Sequence, residues 1–160
     1  MNRKSILLRR TKLLTWLFII GLVASGATAI PLVGELNLLV DFCRTGSEPS
    51  ELSHWLLQVR DALAQTQTQY PFLFYGTDWL AFGHFVIAIA FIGAWRDPVR
   101  NRWLFDFGLI ACALVIPYAL VFGGLRGIPV WWRLIDCSFG VLGFIPLWFC
   151  RKWTRELERR

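Results

Sequence analysis

Residues 77–122 read TDWLAFGHFVIAIAFIGAWRDPVRNRWLFDFGLIACALVIPYALVF. Two apolar runs, 77–95 and 103–122, flank the charged heptapeptide RDPVRNR. Each run has close to the roughly 20 residues that, at about 1.5 Å rise per helical residue, cross a hydrocarbon layer about 30 Å thick. The heptapeptide is the turn between two membrane-spanning helices. Two further windows of this kind, 13–33 and 129–149, lie outside the quoted stretch. The four windows take up about half of the 160 residues and leave too little chain for a second folded domain.

The expected fold class is therefore all-α. It is a polytopic membrane protein with a four-helix transmembrane bundle and an outer amphipathic surface helix, forming one membrane domain over residues 1–160. The composition agrees, with 56% hydrophobic residues, nine Trp, thirteen Phe and only 18% charged residues.

The net charge of +6 raises nucleic acid as a partner, but the cations gather at window ends and do not form one face. Arg3, Lys4, Arg9, Arg10 and Lys12 precede the first window. Arg96, Arg100 and Arg102 lie between the second and third, and Arg151, Lys152, Arg155, Arg159 and Arg160 follow the fourth. The remaining connections hold only Arg44, Arg60 and Arg126. By the positive-inside rule both termini and RDPVRNR are cytoplasmic, so residues 34–76 and the hairpin GGLRGIP face outward. The expected setting is the inner (cytoplasmic) membrane. Its partners are the lipid bilayer and a protein partner or a second copy of the chain, with no nucleic acid.

The first window admits two readings. RRTK, an apolar run and Ala27-Thr28-Ala29 imitate a cleavable signal peptide. The run continues uncharged to Val33, however, and Gly21, Ser25 and Ala29 fall four apart, as a close-packed helix face requires.

Between the first two windows, Leu52, Trp55, Leu56, Val59 and Leu63 recur at helical spacing, so an amphipathic helix is expected over about 49–66. Pro49 suits its start, and Gln65 to Gln69 reads as a polar connector to Tyr70-Pro71. Asp97-Pro98 reads as the cap and first residue of the third helix, with Arg102 and Asp106 as an i, i+4 pair. Pro117 and Pro146 predict a bend and a freed carbonyl within their spans. Trp79, Trp95, Trp103, Trp131, Trp132, Trp148 and Trp153 cluster at window ends, as an aromatic belt does.

Cys43, Cys112, Cys137 and Cys150 show no metal-ligand spacing. There is no phosphate-binding Gly-rich motif, no H-E-x-x-H and no nucleophile elbow. No metal and no cofactor are expected, and no catalytic residue is assigned.

The ionisable residues within the windows are the remaining candidates, because burying a charge in hydrocarbon is costly. Counted from the outer boundary, Asp78 lies about 2 Å deep, Arg133 about 6 Å, Asp136 about 10 Å and His84 about 11 Å. Depth alone matches His84 with Asp136 and Asp78 with Arg133. Arg133 and Asp136 also share a face of the fourth helix with Gly140 and Gly143, and stand three apart, so they can neutralise each other. This cluster of Asp78, His84, Arg133 and Asp136 admits three roles: a fixed polar clasp, a ligand-binding or catalytic site, and a proton or ion route.

At YGTDWLAFGHF, RDPVRNRW and RGIPVWWRLIDCSFG the chain resembles a family of uncharacterised bacterial four-span integral membrane proteins, over roughly residues 70–150. The resemblance implies an inner-membrane setting and carries no activity. In size and span number alone the chain also looks like the sterol-isomerase and sigma-2-receptor group, whose catalytic acids have no aligned counterpart here. The expected function is that of a non-enzymatic structural, accessory or partner-binding component. The alternative is a lipid or lipophilic small-molecule binding protein or enzyme, with a polar pocket between the second and fourth windows.

Overall fold

A computed structural model of the chain describes residues 3–44 and 51–159, the side chain of Arg44 excepted. The described residues are helical almost throughout and contain no strand. Six α-helices follow one another: α1 (Arg3–Thr28), α2 (Leu32–Arg44), α3 (Glu51–Gln69), α4 (Tyr75–Arg96), α5 (Arg102–Leu125) and α6 (Val130–Glu158), with a 3-10 turn at Pro71–Phe74 before α4. Three helical stretches, Pro71–Arg96, Arg102–Leu125 and Val130–Glu158, are long and apolar enough to cross a membrane. The bent pair α1 and α2 makes a fourth if counted as one span.

That bend corrects the first window. Residues 13–33 were expected as one helix, but α1 ends at Thr28 and meets α2 at 93°. Pro31 is the physical reason, since it has no N–H to continue the helix and disfavours helical backbone in the residue before it. The last turn closes through Ala29 N–H to Gly26 O at 3.2 Å and Ile30 N–H to Ala27 O at 3.4 Å. Pro31 then accepts the Glu35 N–H at 3.0 Å, opening α2. Downstream, the helix expected over 49–66 runs from Glu51 to Gln69, so the Gln-Thr connector is helical. Its Thr66 and Thr68 hydroxyls donate to Ala62 O and Ala64 O one turn back. Pro49 lies outside the described residues.

By their contacts the residues form two compact units, Met1–Gly21 with Ala88–Arg160, and Leu22–Ile87. In the second unit α2 packs on α3 and α3 on the 3-10 turn. Leu36 and Val40, one turn apart on α2, are buried, as is Leu56 on α3. Of the expected α3 face, Leu56 is buried, Trp55, Val59 and Leu63 are half-buried and Leu52 stays 39% exposed, while Ser53 and Arg60 from off that face are half-buried too.

The first unit is built on the antiparallel pair α5 and α6. Its core holds Phe91, Phe105 and Leu147, with Phe18 4.8 Å from Phe91 between ring centroids. Glycines permit the close approach. A Cβ on Gly140 would stand 2.5 Å from the Cys112 carbonyl oxygen, one on Gly143 2.8 Å from the Cys112 sulfur, and one on Gly108 2.6 Å from Leu147 Cδ1. Such close approach lets the two helices make tight van der Waals contact along the seam. α5 and α6 both run unbroken through Pro117 and Pro146.

The α5–α6 connection is equally specific. Ile128 N–H donates to Gly123 O at 2.9 Å and Gly127 N–H to Gly124 O at 3.2 Å, a Schellman arrangement that uses up carbonyls at the α5 terminus. It requires left-handed backbone at residue 127, where glycine has φ +70°. Pro129 then stands as the N-cap of α6.

Candidate functional site

Asp78 occupies the first turn of α4, where a carboxylate complements the positive end of the helix dipole. It is exposed and lines a cavity of about 260 Å³ with Tyr75, Trp79 and Phe82. The three rings stack edge to face along one side of α4, with centroids 5.9 Å apart for Tyr75–Trp79 and 5.4 Å for Trp79–Phe82. Two turns further on, His84 is half-buried. Its Nδ1 lies 2.8 Å from the Leu80 carbonyl. A carbonyl oxygen only accepts, so Nδ1 is the donor in this contact.

Beside His84 the α1 backbone comes close at Gly26. A Cβ on Gly26 would stand 2.9 Å from a Phe85 ring carbon, 3.0 Å from Ala81 O and 3.0 Å from His84 Cβ. Gly21 was the glycine expected at a close approach, yet it has nothing within 4 Å of an added Cβ.

On α6, Arg133 and Asp136 are both half-buried. Their expected mutual ion pair does not form. Arg133 Nη1 donates instead to the Leu120 carbonyl of α5 at 3.3 Å. Its aliphatic stem lies on Gly123, where a Cβ would come within 2.6 Å of Arg133 Cγ and Cδ, and Nη1 lies 3.1 Å from the Cβ position of Gly124. The physical reason lies near the α5 C-terminus: the Leu120 carbonyl sits one turn before the negative end of the helix dipole, and Gly123 and Gly124 leave room for the guanidinium to reach it. Arg133 Nε is buried without a hydrogen-bond partner among the described residues. Within the first unit Asp136 enters no ion pair. The two matches expected from depth, His84 with Asp136 and Asp78 with Arg133, each join a residue of one unit to a residue of the other, and each is described within its own unit.

Arg133→Met keeps the aliphatic stem and deletes the guanidinium. Its expected cost is about 1 kcal/mol, the worth of a charge at a helix C-terminus with one charge-assisted hydrogen bond, less the relief of the unpartnered Nε. Equilibrium unfolding in detergent measures it, and an unchanged unfolding free energy contradicts the contact.

The densest polar arrangement lies where depth counting did not look, at the end of the first unit that gathers both termini. Arg3 Nη2 stands 2.9 Å from Glu156 Oε1, Arg102 Nη1 donates to Glu158 Oε2 at 2.5 Å, and Arg151 Nε donates to Asp106 Oδ1. The last two correct the expected Arg102–Asp106 pair. The C-terminal turns of α6 pass beside the start of α5 and supply an acid to Arg102 and a cation to Asp106.

Asp97 was expected to cap the third helix but instead caps the preceding turn, accepting Arg100 N–H at 3.0 Å. The helix begins at Arg102, with Asn101 as its N-cap residue. Asn101 Nδ2 donates to Gly93 O and Asp97 O, both at 3.0 Å, tying the turn to the end of α4.

Next to these pairs, Thr11, Thr15, Cys150 and Thr154 are fully buried between α1 and α6. Their polar atoms are satisfied locally. Thr11 donates to Leu7 O at 3.0 Å, Thr15 to Thr11 O at 2.8 Å and Thr154 to Cys150 O at 2.7 Å. The Cys150 thiol donates across to Thr11 O at 3.6 Å. This seam is structural in character: the three threonines return their hydrogen bonds to their own helices, the Cys150 thiol bridges to α1, and the small side chains leave a surface for close packing. Among the described residues no three His, Cys, Asp or Glu side chains are grouped to hold a metal ion. Comparison with family models, with curated proteins and with solved structures gives no match.

Proposed function

We propose that the chain is a multi-pass protein of the inner (cytoplasmic) membrane, with both termini and residues 96–102 cytoplasmic, acting as a non-catalytic structural, accessory or partner-binding component. One observation carries the membrane setting. The first unit draws Arg3, Arg102 and Arg151 together with their acids at a single end, while only 17–22% of the residues in the apolar windows of the three long helices are buried. Ile110, Leu114, Leu134, Phe139 and Leu142 are all more than half exposed. Apolar sides and one cationic end suit hydrocarbon flanked by a cytoplasmic surface. A retained first helix belongs to this reading, since Thr11 and Thr15 are buried against Cys150.

The partner-binding role is tested by placing photo-crosslinking residues at Ile110, Leu114 and Leu142 in turn and irradiating intact membranes. Discrete protein adducts at one or more positions are expected. Lipid adducts alone at all three contradict a partner on these faces.

A second reading is favoured by one feature, the ring-lined cavity beside Asp78. It makes the chain a lipid or lipophilic small-molecule binding protein, with Asp78 as the polar residue of that cavity. Asp78→Asn, expected to leave thermal stability near wild type, separates the readings. Loss of a copurifying lipophilic cation in that variant supports the second.

A further inference from the structure

We infer that a groove between α1 and the end of α4 in the first unit is a binding site for one anionic phospholipid, its phosphate held by Arg9 and Lys12 and its glycerol and acyl region laid against Trp16 and Trp95. The groove has a volume of about 520 Å³ and is lined by Ser5, Leu8, Arg9, Lys12, Leu13, Trp16 and Trp95, with no acidic residue.

Ser5, Arg9, Lys12 and Trp16 follow at spacings of four, three and four on α1, one helical stripe about 16 Å long. Polarity changes along that stripe in the order in which it changes along a phospholipid: cations first, then indoles and leucines. The indoles of Trp16 and Trp95 lie 5.8 Å apart between centroids, the depth marker of a membrane interface. Lys12 Nζ stands 5.6 Å above the Trp95 ring, so its half-buried stem is fixed and its ammonium directed at the groove.

What distinguishes this groove is that two cations line one cavity together with two indoles and no acid. Arg3, Arg102 and Arg151 each have a carboxylate, whereas Arg9 and Lys12 form no ion pair among the described residues. Two cations brought together without a counter-charge select an anion, and at the edge of apolar helices the abundant anion is a lipid phosphodiester carrying a net negative headgroup. Cytoplasmic leaflets supply such lipids, and juxtamembrane cations are drawn to them.

The inference rests on the membrane setting proposed above, and its test separates the two. The full chain is reconstituted into nanodiscs of equal parts phosphatidylglycerol and phosphatidylcholine, then released and weighed by native mass spectrometry. Failure to enter nanodiscs refutes the membrane setting. For a chain that enters, retention of phosphatidylglycerol over phosphatidylcholine by at least about fivefold is expected, the worth of one or two charge contacts.

Arg9→Gln with Lys12→Gln brings the ratio to near one. Lys152→Gln with Arg155→Gln, at the same end but off the groove, leaves it high. Should the first pair fail to fold, Arg9→Gln and Lys12→Gln singly must each lower it. Equal retention of both lipids by the wild type, equal loss in the control pair, or displacement of bound lipid by glycerol 3-phosphate overturns the inference.

Discussion

Gly140→Ala is expected to lower the unfolding free energy in detergent by about 2–3 kcal/mol, the upper part of the range for overpacking a close-fitted interior. The added methyl would stand 2.5 Å from the Cys112 carbonyl oxygen. That oxygen belongs to the backbone of α5 and cannot rotate away, so the two helices must separate along the whole seam. Gly108→Ala makes a useful contrast. Its methyl meets Leu147 Cδ1 at 2.6 Å and a Phe91 ring carbon at 3.0 Å, both ends of side chains, and the expected cost falls to about 1 kcal/mol.

Gly21→Ala has open space and is expected to be neutral or to stabilise by up to about 1 kcal/mol through helix propensity alone. Chemical unfolding of the three variants reads out the order. Equal costs at Gly140 and Gly21 would mean that α5 and α6 do not approach closely at Cys112.

The second large effect lies at the Arg151–Asp106 pair. Asp106→Leu leaves a guanidinium whose side chain is only 13% exposed and whose Nη1 already lacks a partner. Breaking a buried pair costs about 3–5 kcal/mol, and because the Asp106 side chain is 45% exposed the expected loss is smaller, about 2 kcal/mol. Arg151→Met added to Asp106→Leu restores most of that loss, since an apolar pair of similar volume replaces an ionic one. A double-mutant cycle on the unfolding free energies measures the coupling. Additive single effects would show that the two side chains do not meet.

The long apolar windows 77–95, 103–122 and 129–149 were legible because continuous apolar runs bounded by charge leave little choice of structure; α4 and α5 contain the first two, and α6 contains the third but for its N-cap Pro129. α6 runs on to Glu158, past its apolar window, because RKWTRELE is a good helix-forming sequence wherever it is solvated. α2 was not separated from the first window. ELNLLVDFCR mixes apolar and acidic residues without a clear break, and only Pro31 marks the bend.

For the candidate residues, counting depth placed each side chain at a level but could not give its direction. The partner of Arg133 is a backbone carbonyl thirteen residues earlier, reached through the room that Gly123 and Gly124 leave. A sequence carries no label for a carbonyl, though the glycine pair before a hairpin and an arginine one turn into the next helix are together a readable signal. Asp106 found its cation 45 residues away because α6 is longer than its span. The local i, i+4 rule picks the nearest opposite charge along the chain, whereas antiparallel packing supplies closer ones.

In the proposed setting hydrocarbon surrounds the apolar helices and the cationic end faces the cytoplasm. Cysteines placed singly at the exposed positions Gln58 and Arg100 test it most directly, using a membrane-impermeant maleimide on intact spheroplasts and again after permeabilisation, with the unsubstituted chain as the background. Gln58→Cys is expected to label in intact spheroplasts and Arg100→Cys only after permeabilisation. Labelling of both positions only after permeabilisation, or labelling of Arg100→Cys from outside, would contradict it.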